Sequence, residues 1–502
     1  MMFRLIGIIL ALALTAPGLA GAANDPNAVA TVLIPNSSAI VSFRVLFNIG
    51  SASDPKGKEG VAALTAAMLA KGGSRKMTYE QIVQAMFPMA AGFNWQVDKE
   101  MTVFIGQTHV NNLQKYYQII AEMLLNPGWR EDDFTRIREE SVNFLKVTLR
   151  LNNDEELGKE ALYNFIYEGH AYGHHNVGTI ESLQKLTLED VKNFYRDNYT
   201  RANLVIGLAG GYPKGFVEKV EGDFAARLAA GKPAKNGLPQ PAKINKLEMQ
   251  VIKKDARGTA ISFGFPIPVT RADADWPALL LVQTYLGQHR STNSYLLQAM
   301  RQKRGLNYGS YAYIEYFPRG MFQFQVDPNL ARRQQIFQVW VRPVEPQNGL
   351  FALRIALYEL RKLVDNGMSQ QDFETTQQFL TKFINVLTNT QDAQLGYALD
   401  SRFYGIPNFN EHVRSILTRL TLKDVNRVIK QYLQADNVKI VVVAKDADGF
   451  AGAALANKPS PVSYPSPMPK EILEEDKVIE NYRLGFDPKR VAVVPVEQVF
   501  QK

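Results

Sequence analysis

The sequence predicts an α+β protein built from two tandem homologous units. Three observations carry that expectation. Leu186-Thr187-Leu188-Glu189-Asp190-Val191 recurs as Leu420-Thr421-Leu422-Lys423-Asp424-Val425, an offset of 234 that also carries Asn203-Leu204 onto Asn437-Val438. Gly128-Trp129-x-x-Asp132-Asp133-Phe134 matches Gly367-Met368-x-x-Gln371-Asp372-Phe373 at an offset of 239. Each half places strands first and long helices after them, without strict βαβ alternation. Two matches in one order, at nearly equal offsets, imply a duplication.

In the first half, apolar and β-branched patterning predicts a strand at Ala39–Ile49 and a helix at Gly60–Ala70. A strand at Thr102–His109 follows, then amphipathic helices at Asn112–Leu125 and Asp132–Leu149 and a closing strand at Leu204–Leu208. The second half repeats this order: a strand at Ala260–Pro266, a helix at Trp276–Leu286, a strand at Met321–Val326, helices at Leu350–Val364 and Gln370–Thr388, and a strand at Val438–Val443. Between the halves, residues 229–246 hold three prolines, two glycines and four lysines, the composition of a linker. The expected organisation is therefore a first unit at 28–228, a linker at 229–246, a second unit at 247–446 and a Pro-rich extension at 447–502 with a late strand at Val491–Val494.

The first 22 residues read as a secretory signal peptide. Arg4 precedes an apolar run from Leu5 to Leu14, Pro17-Gly18 breaks it, and Ala20-Gly21-Ala22 supplies small residues for cleavage. The run is short for a membrane span, and no later segment has the length and purity of one. The expected address is beyond the inner membrane, in a bacterial periplasm.

Composition narrows the chemistry. The 502 residues include no cysteine and six histidines, which excludes disulfides, iron–sulfur clusters and thiol nucleophiles. Net charge is +8, from 57 Lys+Arg against 49 Asp+Glu, spread without a dense basic run, so nucleic-acid binding has no support. Two places hold candidate chemistry. One is the helix after Gly50-Ser51 and Asp54-Pro55, where Ala63, Ala66, Ala67 and Ala70 share one face and Val61, Leu64, Met68 and Leu69 another. The other is Arg301-Gln302-Lys303-Arg304-Gly305-Leu306-Asn307-Tyr308, leading into a strand. A third feature, His170-Ala171-Tyr172-Gly173-His174-His175, is read as a structural or solvent-exposed cluster, with metal binding as the alternative.

The segment GSASDPKGKEGVAALTAAMLAKGG resembles the signature region of the pitrilysin/insulinase-type (M16) zinc peptidases. In that family the helix carries His-x-x-Glu-His, whose two imidazoles, one turn apart, face one metal while the glutamate takes a proton from metal-bound water. The frame is kept here, but the metal histidines fall on Ala63 and Ala67 and the catalytic glutamate on Ala66. The third ligand, a glutamate on a later helix, falls by register on Phe144 or Leu145, with Glu139 and Glu140 nearby. The resemblance also accounts for His170 and Tyr172-Gly173 without metal, and it marks Arg301 and Tyr308 as the pair that reaches the substrate carbonyl, donors suited to a developing oxyanion.

What the resemblance implies is a pair of LuxS/MPP-like units forming half of a clamshell. It implies a non-catalytic subunit with no cofactor of its own, whose partner is a chain bearing His-x-x-Glu-His and zinc, acting together on a peptide substrate. The alternative is a catalytically dead peptide-binding or scaffold protein of the envelope, homodimeric if no catalytic partner exists.

Overall fold

Eleven strands gather into two sheets of matching order among the described residues, which are 29–234, 237–323 and 325–502 of this computed structural model. The expected signal peptide lies outside them. In chain order the first unit comprises β1 (Ala30–Pro35), β2 (Ile40–Phe47), α1 (Val61–Lys71), α2 (Tyr79–Met86), β3 (Gly92–Val97), β4 (Thr102–His109), α3 (Leu113–Leu125), α4 (Glu131–Asn143), α5 (Asp154–Ile166), α6 (Ile180–Lys185), α7 (Leu188–Asn198), β5 (Leu204–Gly210) and α8 (Phe216–Arg227). The second runs β6 (Glu248–Lys253), β7 (Thr259–Ile267), α9 (Trp276–Gly287), the short α10 (Tyr295–Leu297), β8 (Ser310–Tyr313), β9 (Gln335–Val344), α11 (Gly349–Asn366), α12 (Gln370–Leu387), α13 (Gln391–Tyr404), α14 (Phe409–Leu417), α15 (Leu422–Tyr432), β10 (Lys439–Ala444) and α16 (Ala447–Leu455). After these come α17 (Lys470–Glu480) and β11 (Val491–Pro495).

The first sheet is ordered β1-β5-β2-β4-β3 and the second β11-β6-β10-β7-β9-β8. Removing β11 leaves the same order, with β1 parallel to β5 and β6 parallel to β10. The repeated sextet of the sequence has a local cause. In both copies the threonine hydroxyl accepts from the aspartate N–H three residues on, and the aspartate carboxylate accepts from the threonine N–H, at 3.2 and 2.9 Å for Thr187 and Asp190 and 3.3 and 3.0 Å for Thr421 and Asp424. This reciprocal capping box starts α7 and α15.

Two expectations need correction. No strand forms among the described residues of Met321–Val326. The partner of β7 is β9, and the hairpin that spans only 98–101 in the first unit runs from 314 to 334 in the second. The longer loop displaces the strand along the sequence, and its Tyr316, Leu330 and Ala331 pack against the first unit. The single helix expected at Asp132–Leu149 stops as α-helix at Asn143 and continues as a π turn over Phe144–Leu149, with the N–H of Arg150 donating to the Leu145 carbonyl at 3.2 Å.

The two units exchange helices. α5, from the first unit, lies on β7, β9 and β10, whereas α13, from the second, lies on β1, β2 and β5. Lys439 Nζ donates to the Phe165 carbonyl at the end of α5 at 2.6 Å, and Arg342 pairs with Glu155 at 3.0 Å. On the other side Arg44, buried in β2, holds Asp392 at 3.0 and 2.5 Å. Gly396 of α13 leaves room for this pair: a Cβ there would stand 2.3 Å from the Pro328 ring and 3.1 Å from the Arg44 guanidinium carbon.

The loop 314–334 lies between the exchanged helices and binds both. Arg332 is buried and chelates Asp98 of the β3–β4 hairpin through Nε, at 2.7 Å, and Nη2, with its guanidinium 3.7 Å from the Tyr316 ring centroid. Asn329 accepts from Arg44 at 2.7 Å and donates to Asp400 at 3.0 Å. Arg271 pairs with Glu315 at 2.8 Å and with Asp400 at 3.1 Å.

The chain beyond 446 is ordered onto the body. β11 adds in parallel to β6. The last residues then return to the first unit, where the carbonyls of Phe500 and Gln501 accept from the N–H groups of Ile180 and Glu181, both at 3.0 Å, and the Val499 carbonyl accepts from Arg150 Nε at 2.6 Å. The C-terminus thus clasps the π turn and the start of α6.

Arg332→Met leaves the buried Asp98 carboxylate without its partner, and a loss of about 3–5 kcal/mol is expected; urea unfolding measures it, and a loss below about 1 kcal/mol, the surface-pair range, contradicts the assignment. Truncation after Glu497 is expected to speed amide exchange in residues 144–150 and 180–185 first, and unchanged protection there would remove the clasp.

Candidate functional site

The helix that would carry metal ligands is set by an aspartate cap. Asp54 accepts from the N–H groups of Gly60 at 2.6 Å and Ala62 at 2.9 Å, satisfying two orphan donors at the start of α1, and its buried carboxylate also meets His174 Nε2 at 3.1 Å. Asp54 therefore has structural work that does not depend on metal. Along α1, Ala66, Ala67 and Ala70 are buried and Ala63 is half-buried, packed with α4, α7 and β3. Methyl groups line the face where donors would stand, so the residues do not fit a zinc ion.

The register of the third ligand falls on the π turn. Leu145 is buried in the core, whereas Phe144 is 37% exposed and lays its ring 5.8 Å from the His175 ring. Glu140 points away, toward Arg136 at 3.0 Å and Lys71 at 3.4 Å. Among the described residues no group of three or more His, Cys, Asp or Glu side chains is placed to hold a metal ion. Beside Phe144 opens a cavity of about 280 Å³ lined by Trp95, Leu149, Tyr316 and Phe322, with Glu160 and His175 among its polar lining.

The three neighbouring histidines diverge to separate partners. His170 Nε2 meets the Pro239 carbonyl at 2.9 Å, His174 meets Asp54, and His175 Nδ1 accepts from the Val177 N–H at 3.0 Å. His175 Nε2 stands 3.6 Å from Glu160 Oε2. Burial pushes His175 down to about 3 and Glu160 up to about 7, so the contact is not an ion pair near neutral pH.

Arg301 and Tyr308 are brought together. Arg301 Nη1 donates to the Tyr308 carbonyl at 3.4 Å, and the guanidinium lies 5.8 Å from the Tyr308 ring centroid. Both are exposed, Tyr308 at 75%. The intervening residues explain how they are presented. The helix through Arg301 ends where Gly305 takes a left-handed φ of 64°, its N–H donating to Arg301 and the Leu306 N–H to Met300 at 2.8 and 3.0 Å. Both bonds reach one residue further back than in a Schellman stop because α10 continues as a π turn over Gln298–Gln302, and Gly305 takes the left-handed φ without Cβ strain.

Sequence reasoning missed the brace beneath this pair. Arg304, buried, is held by Asp476 and Glu475 of α17, each at 2.7 Å, and donates to the Ala299 carbonyl at 2.9 Å. The only advance signal was an arginine beside glycine and an acidic run 171 residues later, at Glu475. Such a pairing has no periodicity to reveal it.

Comparisons with known proteins identify the family and the fold. Residues 30–179 match the family described as Insulinase (Peptidase family M16), and residues 185–380 match the Peptidase M16 inactive domain. An uncharacterized zinc protease of Mycobacterium leprae is 26% identical over 278 residues, which span 55% of this chain and 61% of that protein. The chain thus spans about three fifths of that relative's length. A non-peptidase homologue of Helicobacter pylori is 21% identical over 79% of this chain and 86% of its own. Among solved structures, a peptidase M16 inactive domain from Pseudomonas fluorescens aligns with TM-score 0.72 at 23% identity, covering 83% of this chain and 95% of that one. The periplasmic protease PqqL of Escherichia coli aligns with TM-score 0.65 at 15% identity over 92% of this chain and 50% of its own.

The Glu160 shift generates a pH prediction. The folded carboxyl keeps its proton to about 7, whereas its ordinary value is 4.5, so the folded state binds more protons and loses stability as pH rises from 4.5 through 7. His175 works in the opposite sense, its contribution intact above 6.5 and lost as pH falls toward 3. Glu160→Gln is expected to gain stability over the wild type at pH 8 and to match it at pH 4.5; urea melts at both values would show equal differences if Glu160 were ordinarily ionised.

Proposed function

This chain belongs to the M16 (insulinase) peptidase family, and we propose that it is a member without a catalytic centre of its own that serves a zinc-bearing partner chain. One observation carries the reading. The three donor positions Ala63, Ala66 and Ala67 hold methyl groups, the last two buried and Ala63 half-buried, while Arg301 and Tyr308 are exposed and braced from behind by Arg304 and α17. Two exposed donors held on so specific a support suit a role at a surface that a substrate or a second chain reaches. In a two-chain assembly, the partner's zinc site would supply the hydroxide, and Arg301 and Tyr308 would donate to the substrate carbonyl oxygen as it gains charge. The work of this chain is then positioning and charge stabilisation on a peptide substrate, in the envelope compartment that the leader sequence suggests.

A second reading, a peptide-binding or scaffold protein without a catalytic partner, is favoured by one feature. β3 pairs only with β4 among the described residues, and its outer edge borders the cavity beside Phe144. An extended peptide adding to that edge could seat an apolar side chain there.

The tests separate the two. Purified alone with zinc, the chain is expected to cleave no peptide. Recovered from the native envelope, it is expected to bring a His-x-x-Glu-His chain at one-to-one ratio; a homodimer or unrelated proteins would favour the scaffold. In the two-chain enzyme, Arg301→Ala or Tyr308→Phe should lower turnover by roughly 10- to 1000-fold, the range for a lost oxyanion donor, and normal turnover in both would sink the positioning role.

A further inference from the structure

A cavity of about 220 Å³ lies under α13, away from the alanine face and from Arg301. Six pieces of chain wall it: the end of β2 with the turn after it, the β3–β4 hairpin, the start of β5 with Ala202 and Asn203 before it, the interunit segment at Pro233, Ala234 and Leu238, the residue Arg333, and α13 through Leu399, Arg402 and Phe403. Its charged lining is Lys99, Glu100, Arg333 and Arg402. The single carboxylate is already engaged. Glu100 accepts from the Tyr172 hydroxyl, from the Arg333 N–H at 2.6 Å and from Arg333 Nη1. Lys99, buried, donates to the His174 carbonyl, and burial together with the neighbouring Arg332 pushes it down to about 7, so the dependable positive charge of the lining is that of the two arginines. Arg402, an exposed residue of the lining, makes no side-chain hydrogen bond or ion pair among the described residues, and Arg333 spends one guanidinium nitrogen on Glu100 while its guanidinium lies 4.4 Å from the Phe403 ring centroid. The site therefore has cationic donors to spare and no free acceptor charge.

We propose that this cavity binds a small organic carboxylate with an apolar body. Arginine forks match the planar geometry of a carboxylate and hold it in two-point contact. The apolar wall formed by Leu46, Ile49, Leu238 and Leu399 suits an aromatic or branched aliphatic group attached to it. A cation is disfavoured by two arginines around one spent carboxylate, and a bare inorganic anion leaves the apolar wall unused. The carboxylate is that of a free acid or of a peptide C-terminus, since both present the same group. Because the walls come from both units and from the segment joining them, an occupant would bind the folded arrangement alone and stabilise it by linkage. This site is independent of the peptidase-partner reading.

The experiment is calorimetric titration of the full mature chain with benzoate, with N-acetylphenylalanine as the C-terminal mimic, and with N-acetylphenylalaninamide, which lacks the charge. One-to-one binding of at least one acid and none of the amide is expected. Arg402→Ala is expected to weaken binding at least about 10-fold, the loss of one charge-assisted contact, and Arg402→Lys to restore part of it. Leu238→Trp, which fills the cavity from the interunit segment, should abolish binding and serves as the check if Arg402→Ala lowers the melting temperature. The proposal is overturned by the absence of saturable binding up to about 10 mM, weaker than a millimolar site, by equal binding of the amide, or by acid binding that survives Leu238→Trp.

Discussion

Arg332 sits with Asp98 at the point where the two units meet, and the placement of nearly everything else follows from that buried pair. Taking two charges out of water costs several kcal/mol per ion, which is recovered only if geometry and further contacts are good. Here they are: two guanidinium nitrogens reach two carboxylate oxygens, and Tyr316 covers the cation. Asp98 belongs to a tight hairpin of the first sheet and Arg332 to the loop before β9 of the second. The pair therefore fixes one sheet against the other. The exchanged helices impose the same relation over a larger area, since neither sheet can bury its second face without the helix that the other unit sends.

That constraint explains how a motif can lose its chemistry while its surroundings persist. Asp54 caps α1, His174 secures Asp54, and Gly60 enters the helix at a φ of 102° that leaves no room for a side chain near the Val177 carbonyl. None of these needs a metal. Small side chains at 63, 66 and 67 keep α1 close to its neighbours. Replacing donors by methyl groups removes reactivity and leaves packing, so selection on the fold alone maintains the frame.

The legible parts of the sequence were those governed by local rules. The sextet at 186–191 and 420–425 is visible because a capping box uses fixed spacing. The strands at 204–208 and 438–443 are buried on both faces and read as continuous apolar runs. Arg301 and Tyr308 stood out through the family frame around them. The strand expected at 321–326 failed for a non-local reason: Phe322 and Val326 look like strand residues but belong to an enlarged loop, in which Tyr316, Leu330 and Ala331 pack against the first unit while Phe322 is exposed. The end of α4 failed because π geometry depends on what packs around residues 144–149, including Arg150 held by the C-terminal Val499 carbonyl.

Spacing along the chain determined the duplication, the order of elements in each unit, and the absence of metal donors at Ala63, Ala66 and Ala67, because each is a property of neighbours within a few residues. Only the tertiary structure decided that α5 and α13 cross to opposite sheets, that Glu475 and Asp476 brace Arg304, and that Phe500 returns to rest 5.4 Å from the His175 ring. The contact of Arg304 with Glu475 joins residues 171 positions apart, and that of Arg150 with the Val499 carbonyl residues 349 apart. Their partners are chosen by shape and by the cost of leaving a buried charge alone, and neither leaves a periodic trace in the sequence.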